Sequence, residues 1–495
     1  MVLAISEVRG IVERACARQD VLDACARRDL GAVITLLKAH GITQGMIAEL
    51  TGIPQGRLSE WATGKRKPSA TSTFESFADG LGMPPAARRA LGLDSGAPAG
   101  PGLAAARLPE APKLDIGLEY PGTPEQAAGN VSVLWQADLA DQRVLERGLV
   151  TPAAWNEASL RWLVAPTVIG GDGGDPPSGV RIGMADVARF RDTVEMFRQL
   201  DDRFGGGHAR SSLIQYLQAD AVRLLRGRYG DDVGSALLSA VAEAVQLAAW
   251  MTYDSTPGSP QAQRYFIQAL GLAQAGGDRL LGAAILDSMS HQATYTGRFR
   301  EAAGLAQAAR TGTTGIATAT LTAHFYTMEA RALARLGEAK ACDLALSAAM
   351  TQYERRKPES DPAWFQYFDE AELSAEFGHC LRDLNRAKDA ADHAGRSVGA
   401  SGDGRFARSD FFATMVLADS YLAAGDAEQA CQAAMAALVA GEQIRSGRCV
   451  NYVREFRDHL AVADGTAAVR EFGQQALQSR LWRIAARPDH SAAVA

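Results

Sequence analysis

Apolar residues recur along this chain at helical spacing, three and four positions apart. Ile5, Val8, Val12 and Ala15 predict an opening helix within residues 1–28, placed to help dimerisation. Leu30, Val33, Ile34 and Leu37 predict the next, from Leu30 to Ala39. Thr43 then suits a helix cap, Gln44 lies in the first turn, and Ile47, Ala48 and Leu50 make an apolar face. Gly52 ends that helix where a positive φ is cheap only for glycine. Ile53 returns to the core, and Pro54 stands where a helix start tolerates a missing N–H. Leu58 and Trp61 face inward, leaving Gln55, Gly56, Arg57, Ser59 and Glu60 to solvent. Gly64 closes this helix, and the basic run Lys65-Arg66-Lys67 follows. Phe74, Phe77, Ala78 and Leu81 give a further helix, stopped by Gly82 and Pro84-Pro85.

Beyond Leu93 the pattern lapses. Pro98, Pro101, Pro109 and Pro112, with Gly and Ala between them, mark residues 94–122 as a semi-stiff linker. Thr123-Pro124-Glu125-Gln126 reads as a capping box opening a helix through Trp135 and Leu139. Thr151-Pro152 opens another through Trp155, Leu160 and Trp162, and residues 167–180 are a Gly/Pro-rich loop. Val187, Phe190, Val194 and Phe197 define a long amphipathic helix. Gly205-Gly206-Gly207 interrupts it before a helix through Leu213, Leu217, Leu224 and Leu225. A glycine-rich helix start can cradle an anion, but no strand precedes this one and it lacks a P-loop lysine, which favours a helix-hairpin turn.

From about residue 231 the chain repeats. The clearest unit is Leu417-Ala418-x2-Tyr421-x3-Gly425-Asp426-x3-Ala430-x3-Ala434-x2-Ala437-Leu438. It is similar to the tetratricopeptide repeat. Weaker copies carry turn markers at Gly297, Gly337 and Asn385, and a degenerate one fits Ala262, Phe266, Ala269 and Leu270. That resemblance implies an α-solenoid whose first helices line a concave groove. Six, ten and thirteen residues before each marker, the groove-facing positions would be His291, Arg331, His379 and Asp419; Asp287, Thr327, Ala375 and Met415; and Ala284, His324, Glu372 and Phe412. Glu376 shares a helix face with Glu372 and His379. A lining of His, acid, Arg and a few apolar residues suits a short peptide or a small polar effector. Glu376-Phe377-Gly378-His379 has the E-x-x-H spacing of carboxylate-bridged metal sites, but no second E-x-x-H accompanies it. No G-x-S-x-G, P-loop, H-E-x-x-H or dinucleotide fingerprint is present. No enzyme, metal or cofactor is therefore expected.

Charge and cysteines add detail. The net charge of −6 by itself argues against a nucleic-acid binder, but residues 1–93 hold 12 Lys/Arg against 9 Asp/Glu. That is +3, leaving −9 for the remainder of the chain. The six cysteines are scattered without a C-x-x-C, as expected of reduced thiols. MVLAISEVRG does not read as a signal peptide, and no run has the length and apolarity of a membrane span. A soluble, cytoplasmic protein without a membrane partner is expected.

Two short helices joined by a glycine turn make a helix-turn-helix, whose second helix enters the DNA major groove. Residues Thr43-Gln44-x2-Ile47-Ala48-x3-Gly52-Ile53-x4-Leu58-Ser59-x-Trp61-x2-Gly64-Lys65 resemble the Cro/CI (XRE) class of bacterial helix-turn-helix regulators. The resemblance implies that Gln44 touches a phosphate and Gln55 a base edge. It places Arg57, Ser59 and Glu60 along the groove, Gly56 beside them without a side chain, and Lys65, Arg66 and Lys67 on the DNA backbone. Two departures stand out: Pro54 replaces the usual Ser/Thr cap, and Gly56 removes a side chain that commonly reads bases. With its repeats, the chain resembles actinobacterial regulators of this arrangement and the bacterial receptors for peptide pheromones (RRNPP type). Those imply a homodimer on a palindromic double-stranded operator, controlled by an effector in the groove. The expected fold is all-α: a helix-turn-helix domain (1–93), linker (94–122), helical connecting region (123–230), tetratricopeptide-like solenoid (231–485) and disordered tail (486–495). A scaffold or adaptor directed by a protein partner is the alternative, with a metal- or ligand-dependent enzyme behind it.

Overall fold

Every named element among the described residues is a helix, and an isolated bridge joins Arg181 to Arg228. The computed structural model describes residues 11–12, 14–16, 18–68, 71–93, 115–140, 145, 148–165, 180–400, 406–463 and 465–487. The predicted loop at 167–179, most of the linker and residues 488–495 of the predicted tail lie outside these. The chain forms two compact units, residues 1–108 and 109–495.

The first unit contains α1 (Gln19–Ala26), α2 (Leu30–Ala39), α3 (Gln44–Thr51), α4 (Gln55–Ala62), α5 (Thr71–Leu81) and α6 (Pro85–Ala90). Leu30, Val33, Ile34, Leu37, Ile47, Leu58, Phe74, Phe77 and Leu81 are fully buried in one core with Trp61. Two close approaches tie it together. A Cβ on Gly31 would stand 2.2 Å from the Trp61 carbonyl oxygen, and one on Gly80 2.4 Å from that of Leu50. So α2 meets α4, and α5 meets α3, at backbone distance. The predicted opening helix is interrupted: residues 11–12 and 14–16 are helical, then Arg18 is extended and α1 starts afresh. Ile5 and Val8 lie outside the described residues.

The second unit begins earlier than its sequence suggested. Residues 115–122, assigned to the linker, are pinned to the body. Arg264 donates to the Ile116 carbonyl, and Gln268 donates to those of Gly117 and Glu119 at 2.8 Å each, with Tyr120 buried beside them. Then come α7 (Pro124–Ala140), α8 (Pro152–Val164), α9 (Met184–Phe204) and α10 (Arg210–Tyr216), which runs through a π turn into Val222–Leu225. Half of the capping box forms: Thr123 Oγ1 accepts from Gln126 N, while Gln126 Oε1 accepts from Gly122 N, one residue before the cap, instead of from Thr123 N. Leu139 and Leu160, predicted on their helices' patterns, are exposed; Trp135, Trp155 and Trp162 carry the burial.

Helical hairpins follow: α11 (Asp231–Ser255) with α12 (Pro260–Ala275), α13 (Arg279–Tyr295) with α14 (Phe299–Gly312), and α15 (Ala319–Arg335) with α16 (Ala339–Glu354). α17 (Glu370–Asp383) pairs with α18 (Ala387–Ala400), and α19 (Ala407–Ala423) with α20 (Ala427–Ala440). The last helices are α21 (Gly447–Val462), α22 (Ala467–Ala476) and α23 (Arg480–Ala485). The markers Gly297, Gly337, Asn385 and Gly425 all have positive φ, at +76, +75, +58 and +86°. Two short 3-10 turns at Pro358–Ser360 and Ala363–Phe365 account for the longer step before Asn385. α11 is apolar and long enough to cross a membrane, but 67% of its most apolar window is buried in this fold, as in a core helix.

The first helices of the hairpins pack side by side in the order α11, α13, α15, α17, α19, α21, and α11 also meets α21. The row thus closes on itself. The Gly205–Gly207 segment fastens this closure and is no simple hairpin turn. Arg445 N donates to Phe204 O at 2.7 Å, and Gly207 N to Arg445 O at 2.8 Å. A Cβ on Gly206 would lie 2.4 Å from the Met251 carbonyl oxygen. Gly206 N is already given to Asp254 Oδ2, so these amides are not free to cradle a phosphate.

Candidate nucleic-acid interface and the closed helical ring

In the first unit, Thr43 Oγ1 caps α3 by accepting from Met46 N at 3.3 Å. Gly52 has φ +69°, and its N–H donates to Ala48 O. Thr51 Oγ1 receives Ile53 N, which fixes the turn. Pro54 gives α4 no side-chain cap. Leu58 and Trp61 anchor α4 in the core, so the opposite side carries Gln55, Gly56, Arg57, Ser59 and Glu60 outward, all exposed. Lys65, Arg66 and Lys67 are exposed after it, and Gln44 is half-buried at the start of α3. Three adjacent cations beside a helix with a rigid inner face suit phosphates flanking a groove.

The ring's interior differs from an open groove. Asp287, His324, Arg331, His379, Phe412, Met415 and Asp419 are buried, while His291, Glu372 and Glu376 are half-buried. Several of the polar ones find partners across neighbouring helices. Asp287 Oδ2 lies 2.7 Å from His324 Nδ1, Arg331 Nη1 donates to Glu376 at 2.8 Å, and Asp419 Oδ1 meets His459 Nδ1 at 2.8 Å. Tyr253 OH bonds His291 Nδ1, and Tyr452 OH approaches His379 Nδ1 at 3.4 Å. The expectation of an open concave lining is corrected here. A row of six helices curves tightly enough for its inner side chains to meet.

Burial pushes the Glu372 carboxyl up to about 7, with Glu376 adding to the shift. It also drives His291 and His379 well below the ordinary imidazole value, helped by nearby Arg331 and Arg448. His324 is pulled down by burial, yet Asp287 outweighs this and its net shift is upward. The E-x-x-H pair does not act together: Glu376 is held by Arg331, and His379 faces Tyr452. No metal-competent cluster of three His, Cys, Asp or Glu occurs among the described residues.

Sequence reasoning missed the residues that hold the ring closed, because they flank the recognisable repeats. Asp254 Oδ1 accepts from Ser446 Oγ at 2.9 Å, and Arg408 Nη1 donates to Asp201 at 2.7 Å while lying 3.7 Å from Asp254. A second buried knot joins Arg210 to Asp138 and Thr252, with Tyr265 donating to Asp138. Also missed was Arg448, whose guanidinium carbon sits 4.4 Å from the Phe412 ring centre, 5.0 Å from Tyr253, 5.7 Å from Trp250 and 5.9 Å from Tyr295. The aromatic residues Trp250 and Tyr253 on α11, Tyr295 on α13 and Phe412 on α19 are its only trace in the sequence.

Among known proteins, a helix-turn-helix family model matches residues 33–86, from within α2 to the start of α6. No curated protein and no solved structure matches the chain. The match supports an XRE-type DNA-binding domain and, with it, a transcriptional regulator.

Proposed function

From a matched helix-turn-helix in the first unit, we propose that the chain is a sequence-specific regulator whose second unit receives a signal and sets operator occupancy. One observation carries the reading. α4 is locked by Leu58 and Trp61 on one side and offers Gln55, Arg57, Ser59 and Glu60 on the other, with Lys65 to Lys67 alongside. Gln pairs with adenine, Arg with guanine, and Glu accepts from cytosine. The chain acts as a homodimer on a palindromic operator, with half-sites about one helical turn apart or a multiple of it. A ligand in the tetratricopeptide-like ring alters DNA affinity only by preferring one arrangement of the dimer. The closure of the inner row favours a small molecule over an extended peptide.

Genome-wide mapping of bound DNA identifies the operator, and titration on that site tests the readout. Gln55→Ala and Arg57→Ala should each reduce discrimination by about 1–3 kcal/mol where the contact is bidentate. Unchanged discrimination in both variants removes α4 from the readout. Leu344 and Val439, exposed on the outer helices α16 and α20, favour a second reading, an adaptor that docks a protein partner. A partner that stays with the protein through purification, and is lost on Leu344→Glu with Val439→Glu, would favour that reading.

A further inference from the structure

Arg448 is a buried charge in the ring without a hydrogen-bonded carboxylate. The residue is 4% exposed, and its Nε has no hydrogen-bond partner. Its nearest carboxylate oxygen, on Asp254, lies 3.8 Å away, beyond hydrogen-bond range, and that carboxylate already serves Gly206 N, Ser446 Oγ and neighbouring Arg408. Four aromatic rings surround the guanidinium, which favours the cation but gives its buried Nε–H nothing to donate to. Arg331 repeats the theme: 7% exposed, Nη1 on Glu376, Nε unpartnered. Both guanidiniums lie close enough to His291 and His379 to depress those imidazoles, while Glu376 on Arg331 and the more distant Asp254 by Arg448 are the carboxylates beside them. A buried charged donor left unmet is costly, and an unpartnered one marks a place for an absent acceptor.

We infer that the closed ring binds a small, partly apolar carboxylic acid, its carboxylate received by the N–H edges of Arg448 and Arg331. The inference rests on the reading of the ring as the signal-receiving unit and names the class of signal. A guanidinium edge matches the two oxygens of a carboxylate in a planar, charge-assisted pair. Trp250, Tyr253, Tyr295 and Phe412 supply an apolar wall for the rest of the molecule. A small body is required because the inner row is closed: α11 meets α21, and backbone bonds join Phe204 and Gly207 to Arg445.

The test uses the full-length protein and thermal unfolding. The sodium salts of octanoate, benzoate, phenylacetate and indole-3-acetate are compared with their primary amides, and with phosphate and chloride at equal ionic strength. An oligopeptide with a free C-terminus and its amidated form complete the panel. At least one small carboxylate should raise the unfolding temperature saturably by several degrees, and its amide should not. Arg448→Met and Arg331→Met should each weaken that binding at least about tenfold. Should Arg448→Met fail to fold, Arg448→Lys keeps the charge without the planar fork and should still lose affinity. The inference is overturned if no small carboxylate exceeds chloride, if amide or phosphate matches it, if only the peptide binds, or if folded variants at both arginines bind undiminished. Operator binding is followed in parallel. Carboxylate binding by a protein without operator affinity defeats the regulator reading alone, while operator affinity without carboxylate binding defeats only this inference.

Discussion

Arg57 and Arg448 each lie on an amphipathic helix, and they end in opposite surroundings. Arg57 projects into water from α4, whose inner face is secured by Leu58 and Trp61. Arg448 is enclosed by four rings inside the closed row of helices. In the first unit the polar face stays outside because six short helices fill one core beneath it. In the second, successive helix pairs curve until their polar faces meet, and charge becomes interior. The lesson is that polar patterning marks a helix face that is not apolar core; whether water reaches that face depends on curvature.

Breaking the interior charges should therefore cost far more than breaking the exterior ones. Asp254→Ala removes the buried carboxylate that accepts from Gly206 N and Ser446 Oγ and lies 3.7 and 3.8 Å from Arg408 and Arg448. It should destabilise the second unit by about 3–5 kcal/mol in denaturant titrations, with the first unit's transition unmoved. A loss under about 1 kcal/mol, the range of exposed pairs, would erase the contrast between the two units.

The next effect separates the units by packing. Gly206→Ala should lower only the second unit's stability and Gly80→Ala only the first's, each by about 1–3 kcal/mol. In both cases the new methyl meets a carbonyl oxygen under 3 Å away. Fluorescence of unit-specific tryptophans assigns each transition: Trp61 reports the head, and Trp135, Trp155 and Trp162 report the body. Equal loss in both transitions would show that the two units unfold as one.

The smallest effect is electrostatic and sharpens the comparison by pH. His379 is held below its unfolded pKa by burial and by Arg331, so the unfolded chain binds more protons as pH falls. Its contribution is thus complete above the unfolded value of about 6.5 and is lost below it, by at most about 1.4 kcal/mol per pH unit. The stability difference between wild type and His379→Gln should be flat from pH 8 to about 6.5 and then shift against the wild type. A flat difference down to pH 5 would mean that His379 titrates freely.

How much of this was legible follows the range of the contacts involved. The helix-turn-helix is local: Thr43, Gly52, Leu58 and Trp61 act within about twenty residues, and each does what its spacing implied. The turn markers from Gly297 to Gly425 were equally visible, since a left-handed turn leaves a residue signature. Ring closure was not, because Ser446 reaches Asp254 across 192 positions and Arg408 reaches Asp201 across 207. Gln268 explains the misplaced linker boundary. It reads as an ordinary helical glutamine until residues 115–122 lay their carbonyls against it. Gly31 and Gly80 were passed over because only the partner backbone shows why a side chain would not fit. Arg331 and His379 were found as inward positions, but their mutual shielding depends on all six inner helices at once.

Asp254 has a further consequence for how the protein is made. The partners of its carboxylate and of neighbouring Arg408 come from stretches near residues 201–206 and 408–448. A nascent chain must wait for the ribosome to release the α21 segment before those charges can be quenched. The reading head, whose contacts end by residue 93, can mature long before that. During synthesis there is thus an interval in which the helix-turn-helix unit can be folded while the second unit cannot yet close.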